Sequence, residues 1–183
     1  MSVIFHVGCA NMCFRSITSA PNPLNNAIKE RSNMGKITAI LQAAQQRAVE
    51  MNLPYEGALY PGEAYEVLHS APGARLVDVR TRAELDWVGR VPDAVEIEWA
   101  IYPGMQPNPH FIAQLGQQVD KESLVLFICR SGIRSHHAAA AATNAGFSDC
   151  YNVLEGFEGD KDTNEHRNTL GGWCVAGLPW KQS

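Results

Sequence analysis

The sequence predicts an α/β domain with a central, mostly parallel sheet flanked by helices on both faces, and three observations carry that expectation. Two short apolar runs, Leu124-Val-Leu-Phe-Ile128 and residues 75–80 with Leu76, Val77 and Val79, lack the regular polar alternation of a half-exposed strand, as strands covered on both faces do. Segments with apolar residues at helical spacing lie between such runs. Strand and helix alternate along the chain, and that order favours parallel pairing through helical crossovers.

The bulk composition fits one domain with a proper core: 183 residues, 45% hydrophobic and 19% charged. A formal net charge of -4 leaves no basic footprint for nucleic acid, and no run of like charges suggests a membrane surface. No apolar stretch approaches the ~18 residues that a spanning helix needs. Five cysteines, an odd number in a chain of this length, do not read as a disulfide framework, so a reducing cytoplasmic setting is expected.

Residues 1–33 differ from the rest of the chain, with Val3-Ile4-Phe5, then Cys9 and Cys13, then the turn-rich Ser19-Ala-Pro-Asn-Pro-Leu-Asn-Asn26. Nothing basic precedes the apolar stretch, so it does not read as a secretory signal. His6, Cys9 and Cys13 lack a fourth ligand and match no standard zinc spacing. This segment is expected to be a disordered extension, with Met34 reading as a native start ahead of a helix. Residues 34–56 supply that helix. Ile37, Ile40, Leu41, Ala44, Ala48 and Met51 share one face, and Gln42, Gln45, Gln46, Arg47 and Glu50 take the other, so it should pack on the domain at 57–183.

Within 57–183, residues 57–60 suit a short edge strand, and Pro61-Gly62-Glu63 opens a helix that runs to about 69 and ends at Pro72-Gly73. His69, at that helix's end, is expected on the surface, where the dipole favours it. The strand at 75–80 follows. Glu96-Ile97-Glu98 alternates as a short strand would, and the proline- and glycine-rich stretch 100–108 reads as a loop able to wall an active-site mouth. Trp87 and Trp99 read as core or rim aromatics. Phe111, Ile112, Leu115 and Val119 define a further amphipathic helix leading into the 124–128 strand. Five alanines at 138–142 favour helix, capped near Asn144-Ala145-Gly146. A strand at 151–154, a short irregular helix at 156–159 and a polar surface loop at 160–172 complete the chain, with Cys150 and Cys174 expected to be buried or inert rather than resolving thiols.

The chemistry concentrates at Cys129. It sits at the carboxyl end of the 124–128 strand, with Ser131 and Gly132 marking a tight loop before a helix. Ligands of open parallel sheets bind at such ends. Backbone N–H groups of the loop and the helix N-terminus, reinforced by Arg130 and Arg134, favour a thiolate and hence a nucleophile. Asp78 and Arg80 share a face at the end of the other buried strand, where charges need partners such as Glu84 to brace the neighbouring loops. His136 and His137 open the helix after Cys129, and packing or solvent is their expected lot rather than proton relay.

Cys129-Arg130-Ser131-Gly132-Ile133-Arg134-Ser135 resembles the active-site loop of rhodanese-type sulfurtransferases, Cys-Arg-x-Gly-x-Arg-Ser. Leu76-Val-Asp-Val-Arg80, Glu84 and Gly89-Arg-Val-Pro-Asp-Ala94 are similar to the family's Asp-x-Arg strand and its Gly-His-Ile-Pro-Gly-Ala turn, with Arg90 in place of His and Asp93 in place of Gly. Asn152-Val-Leu-Glu-Gly-Phe157 resembles the segment after the catalytic helix, with Glu155 replacing a glycine. The resemblance implies a rhodanese-like fold and transfer of a sulfane sulfur through a Cys129 persulfide. It implies an anionic donor such as thiosulfate and a thiol or cyanide acceptor, with a protein acceptor as a variant, and needs no metal or organic cofactor. The loop 130–135 would bind donor and persulfide, with Arg130 facing the anion and Arg134 bracing the loop; Asp78, Arg80 and Glu84 would support it. The alternatives are a partner-dependent persulfide carrier or a protein-binding domain. A cysteine phosphatase is disfavoured because four residues, not five, separate Cys129 from Arg134. A Cys-x-x-Cys oxidoreductase is excluded by Gly132.

Overall fold

The computed structural model describes the backbone of residues 23–182 and the side chains of residues 31–182. The segment with His6, Cys9 and Cys13 lies outside the described residues. Helix α1 spans Pro23–Glu50 and therefore starts upstream of residue 34, so the part of the supposed extension at 23–33 is helical. A five-stranded sheet comes next: β1 (Gly57–Leu59), β2 (Arg75–Asp78), β3 (Val95–Glu96), β6 (Leu124–Ile128) and β7 (Asp149–Val153), in the order β1-β7-β6-β2-β3. Every neighbouring pair is parallel. The crossovers are α2 (Pro61–Ser70), α3 (Arg82–Trp87), α4 (Phe111–Gln118) and α5 (Ile133–Asn144).

Strand periodicity divides the core in two. Val77, Val125 and Phe127 face Phe111 and Leu115 of α4 and Ala138, Ala139 and Ala142 of α5. Leu76, Leu126, Ile128, Tyr151 and Val153 face Ile37 and Ala44 of α1 and Ala64 and Val67 of α2. Small residues let the layers approach closely. A Cβ on Gly57 would lie 2.5 Å from the Tyr151 ring and 3.1 Å from the Ala44 backbone, so α1 rests almost directly on the edge strand β1. Arg47 fastens that contact, donating to the Ala58 carbonyl at 2.6 Å and bidentately to Glu63 of α2 at 2.9 and 2.6 Å. Met51, expected on the packed face, is exposed instead because α1 ends one residue earlier.

Several expected boundaries shift. The strand at 75–80 ends at Asp78, and the 96–98 strand is the two-residue β3. The 100–108 loop contains a small antiparallel hairpin, β4 (Ala100–Ile101) with β5 (Gln106–Pro107). Residues 156–158 are turns, and no helix forms at 156–159. Both unusual residues of the Gly89–Ala94 turn have local reasons. Asp93 adopts φ 61, the left-handed region where glycine is the easier fit, and Arg90 bonds Asp86 at 2.6 Å and Glu96 at 3.1 Å while its backbone bridges to Lys181. Among the described residues, no helix is long and apolar enough to cross a membrane.

Candidate active site

Strand β6 delivers Cys129 to the carboxyl edge of the sheet, on the face covered by α4 and α5, and the chain then turns at once into α5. Gly132 makes the turn. It is the N-cap of α5 at φ 91, a conformation that strains any residue with a Cβ. The turn aims the Gly132 N–H at the Cys129 sulfur at 3.2 Å, and the first turn of α5 brings the Ser135 hydroxyl to it at 3.3 Å. Cys129 is only 1% exposed, so its Sγ sits at the floor of a depression with two donors on it.

The loop is held from behind by the segment after β7. Phe157 N–H donates to the Cys129 carbonyl at 2.8 Å and Glu158 N–H to the Arg130 carbonyl at 2.9 Å. This approach requires Gly156: its Cβ would lie 2.5 Å from the Cys129 oxygen and 2.7 Å from the Ser131 nitrogen. The preceding Glu155, where the resembled motif has glycine, takes φ 63 and is anchored by accepting from Gly172 N–H at 2.9 Å. Asn152 of β7 donates to the Gly132 carbonyl at 3.2 Å.

Arg134 does not point at the sulfur as a phosphate-binding arginine would. It makes a bidentate pair with Glu84 at 2.8 and 2.6 Å. Glu84 in turn closes a capping box at the start of α3, accepting from the Thr81 N–H at 2.9 Å and hydroxyl at 2.8 Å. Burial works to raise the Glu84 carboxyl, but the bonds and charge of Arg134 and the Thr81 donors outweigh it and bring the pKa down to about 2. Burial also disfavours the Arg134 charge, and Glu84 more than offsets it. Asp78 and Arg80, both fully buried, pair with each other at 2.9 and 2.6 Å rather than with Glu84. Arg80 also donates to the Gly89 carbonyl at 2.9 Å and stacks on Phe157 with its guanidinium carbon 3.9 Å from the ring centre.

A cleft of about 570 Å³ opens over Cys129, lined by Glu84, Arg134, Arg130, Arg167 and an apolar rim of Trp87, Tyr102, Met105 and Ile133. The hairpin loop expected to wall the mouth does so through Tyr102 and Met105. Trp87, expected in the core or at a rim, is 74% exposed at this one, whereas Trp99 packs edge-to-face on Phe111 with ring centres 5.0 Å apart. Arg130 is exposed at the mouth. Buried Glu158, raised above its ordinary pKa by desolvation, feels the charges of Arg130, Arg80 and Arg167 in the opposite sense.

The remaining candidates lie apart. His136 directs Nδ1 to the Tyr55 hydroxyl at 2.7 Å, and burial followed by repulsion from His137 lowers its pKa. His137 is exposed, as is His69. Burial pushes the Cys150 and Cys174 thiols up to about 11 each. Thr81 escaped sequence reasoning although Thr81-x-x-Glu84 carries a capping signature, and Asn152 and Gly156 entered it only as members of the Asn152–Phe157 motif, without the contacts they make here.

A parallel sheet in the order β1-β7-β6-β2-β3 with a cysteine loop between β6 and α5 is the architecture of a rhodanese-like fold. The rhodanese-like domain model matches residues 61–163, and the chain belongs to that family. An uncharacterized protein of Rickettsia conorii is 37% identical over 121 residues, covering 65% of this chain and 92% of that protein. Thiosulfate sulfurtransferase GlpE of Pseudomonas syringae pv. syringae is 34% identical over 86 residues, covering 47% of this chain and 71% of that enzyme. The crystal structure of Rv0390 from M. tuberculosis superposes with a TM-score of 0.65 at 44% identity, covering 70% of this chain and 99% of that one.

Proposed function

We propose that this chain is a sulfurtransferase that moves a sulfane sulfur from an anionic donor such as thiosulfate to a thiophilic acceptor, cyanide or a thiol, through a persulfide on Cys129. The observation that carries the reading is the Cys129 sulfur itself, at the end of β6, accepting from the Gly132 N–H and the Ser135 hydroxyl at the floor of a cleft. The thiolate attacks the outer sulfur of thiosulfate, the donor's S–S bond breaks, and sulfite leaves with the bonding pair. The acceptor then attacks the terminal sulfur of the persulfide and Cys129 departs as thiolate. Charge balances in both halves, and no metal or organic cofactor enters either. Gly132 and Ser135 stabilise the anionic sulfur in each resting form. Arg130 draws the donor in, and Arg134 positions the loop through Glu84. Asp78 and Arg80 hold the β2 end from which α3 and its capping box depart.

Similarity to a thiosulfate sulfurtransferase supports thiosulfate as donor. A protein thiol would serve in the second half-reaction as a small thiol does, and a reducing cytoplasm would keep Cys129 available. The test is thiocyanate production from thiosulfate and cyanide. Wild type should turn over and Cys129→Ser should not; a folded wild type that forms no thiocyanate contradicts the reading.

A further inference from the structure

We infer that Tyr55 and His136 are positioning residues for the Cys129 turn, closing a ring of hydrogen bonds in which His136 Nδ1–H donates to the Tyr55 oxygen and the Tyr55 hydroxyl donates to Asn152 Oδ1. The ring stands on geometry, and its kinetic consequence rests on the sulfurtransferase reading above.

The ring begins at Gly132, whose N–H donates to the Cys129 sulfur. The Gly132 carbonyl accepts twice, from the His136 backbone N–H at 3.1 Å and from Asn152 Nδ2 at 3.2 Å. A carbonyl cannot donate, so Asn152 must turn its amide nitrogen toward Gly132, and Oδ1 is the atom left needing a donor. Asn152 is 3% exposed, and its Oδ1 is enclosed without a hydrogen bond of ordinary geometry among the described residues. Leaving a buried amide oxygen in that state is costly.

Tyr55 can supply the donor. It reaches in from the α1–β1 connection, ahead of the residues 61–163 that the family model matches, and is buried. Tyr55, His136 and Asn152 line one cavity of about 250 Å³ behind the loop. Burial pushes the Tyr55 hydroxyl up to about 12, with the nearby Asn152 side chain acting in the opposite sense, so the phenol keeps its single proton at neutral pH. That proton can serve one acceptor. The Tyr55 oxygen lies 2.7 Å from His136 Nδ1, and either atom can be the donor there. A proton given to His136 leaves Oδ1 orphaned. A proton carried on Nδ1 frees the Tyr55 hydroxyl for Asn152, and every buried polar group of the ring is then satisfied. Burial and the neighbouring His137 lower the His136 pKa, so above neutrality the choice is one of tautomer.

Closing the ring strengthens its members, because an amide whose oxygen accepts donates more strongly through its nitrogen. Gly132 is thereby gripped from β7, from α5 and from the segment before β1, and its N–H stays aimed at the sulfur through both half-reactions. No proton moves, and neither Tyr55 nor His136 touches the sulfur donor.

The test reads the His136 imidazole by long-range proton–nitrogen NMR correlation of the native protein at about pH 8, above the ordinary histidine range. Its signal among the six histidines is assigned by its loss in His136→Gln. The ring requires the Nδ1–H tautomer in the wild type and a shift toward Nε2–H in Tyr55→Phe, which keeps the aromatic body and removes only the hydroxyl. Thiocyanate formation gives the second readout, with folding verified by circular dichroism. Tyr55→Phe and Asn152→Ala should each lower kcat about fivefold, the scale of one hydrogen bond, and the double variant by no more than about that same factor. A wild-type His136 held mainly as Nε2–H overturns the inference, as do two substitutions whose effects multiply or a Tyr55→Phe with unchanged kcat. The tautomer is read without turnover, so a wild type that forms no thiocyanate overturns the sulfurtransferase reading while the tautomer still decides the ring.

Discussion

Cys129 and Cys150 lie one strand apart on the same face of the sheet, both in the cluster beneath α5 and both withdrawn from solvent. Cys150 lies within β7, opposite Val125, with its sulfur 3.9 Å from the Phe147 carbonyl, and burial is the main reason its thiol is pushed up to about 11. Cys129 lies one residue past the end of β6, where the turn brings an N–H and a hydroxyl onto its sulfur. Burial alone therefore makes a protected thiol. The two are separated by the backbone beyond each cysteine, because only a chain leaving the sheet can turn its own donors back onto the side chain it has just placed.

The strongest way to break this contrast is to damage the turn without touching the cysteine. Gly156→Ala pushes a methyl against the Cys129 carbonyl at a site with φ 64. We expect a loss of about 4 kcal/mol in stability, or displacement of the loop with at least ~100-fold lower turnover, read by denaturant titration and steady-state kinetics. Glu84→Gln weakens the brace between α3 and α5 and should cost about 3 kcal/mol at neutral pH. The folded Glu84 carboxyl, held at about 2 against an ordinary 4.5, contributes stability that is fully present above pH 4.5 and is lost as pH falls toward 2. Denaturation midpoints across that window should therefore flatten in Glu84→Gln by roughly 3 kcal/mol of lost pH dependence. Asn152→Ala leaves the Gly132 carbonyl without its side-chain donor and should cost about 1 kcal/mol. Because Gly132 is also the N–H donor to Cys129, kcat should fall severalfold while the loop stays closed. Unchanged kcat in a destabilised Asn152→Ala would make Asn152 a purely structural residue.

Much of this was readable from the chain. The apolar runs at 75–80 and 124–128 and the alanines at 138–142 announced a parallel sheet and its main crossover helix, because burial on both faces and helix propensity leave local marks. Cys129, Gly132 and Arg134 stood out for the same reason, since tight turns and anion-binding loops use few residue types. The partner of Arg134 was not readable. Glu84 and Arg80 lie close in sequence and invited pairing, yet Arg80 turns back onto Asp78 and Glu84 reaches across 50 residues to α5, a choice made by tertiary geometry. The start of α1 at Pro23 escaped notice because Pro21, Asn22 and Asn25 read as turn formers, and among the residues whose side chains are described Ile37 is the first of the helix to be buried. The convergence of Trp87, Tyr102, Met105 and Ile133 on one mouth could not be read from spacing, since three elements contribute.

The most direct measurement is peptide mapping by mass spectrometry after brief exposure of the native protein to thiosulfate, with Cys129 and Cys150 read in the same molecule. An added sulfur on the Cys129 peptide, discharged by cyanide, with none on the Cys150 peptide is the expected result. Sulfur on Cys150, or on neither cysteine of a folded protein, would contradict the claim that the turn after β6 makes Cys129 the sulfur-carrying thiol.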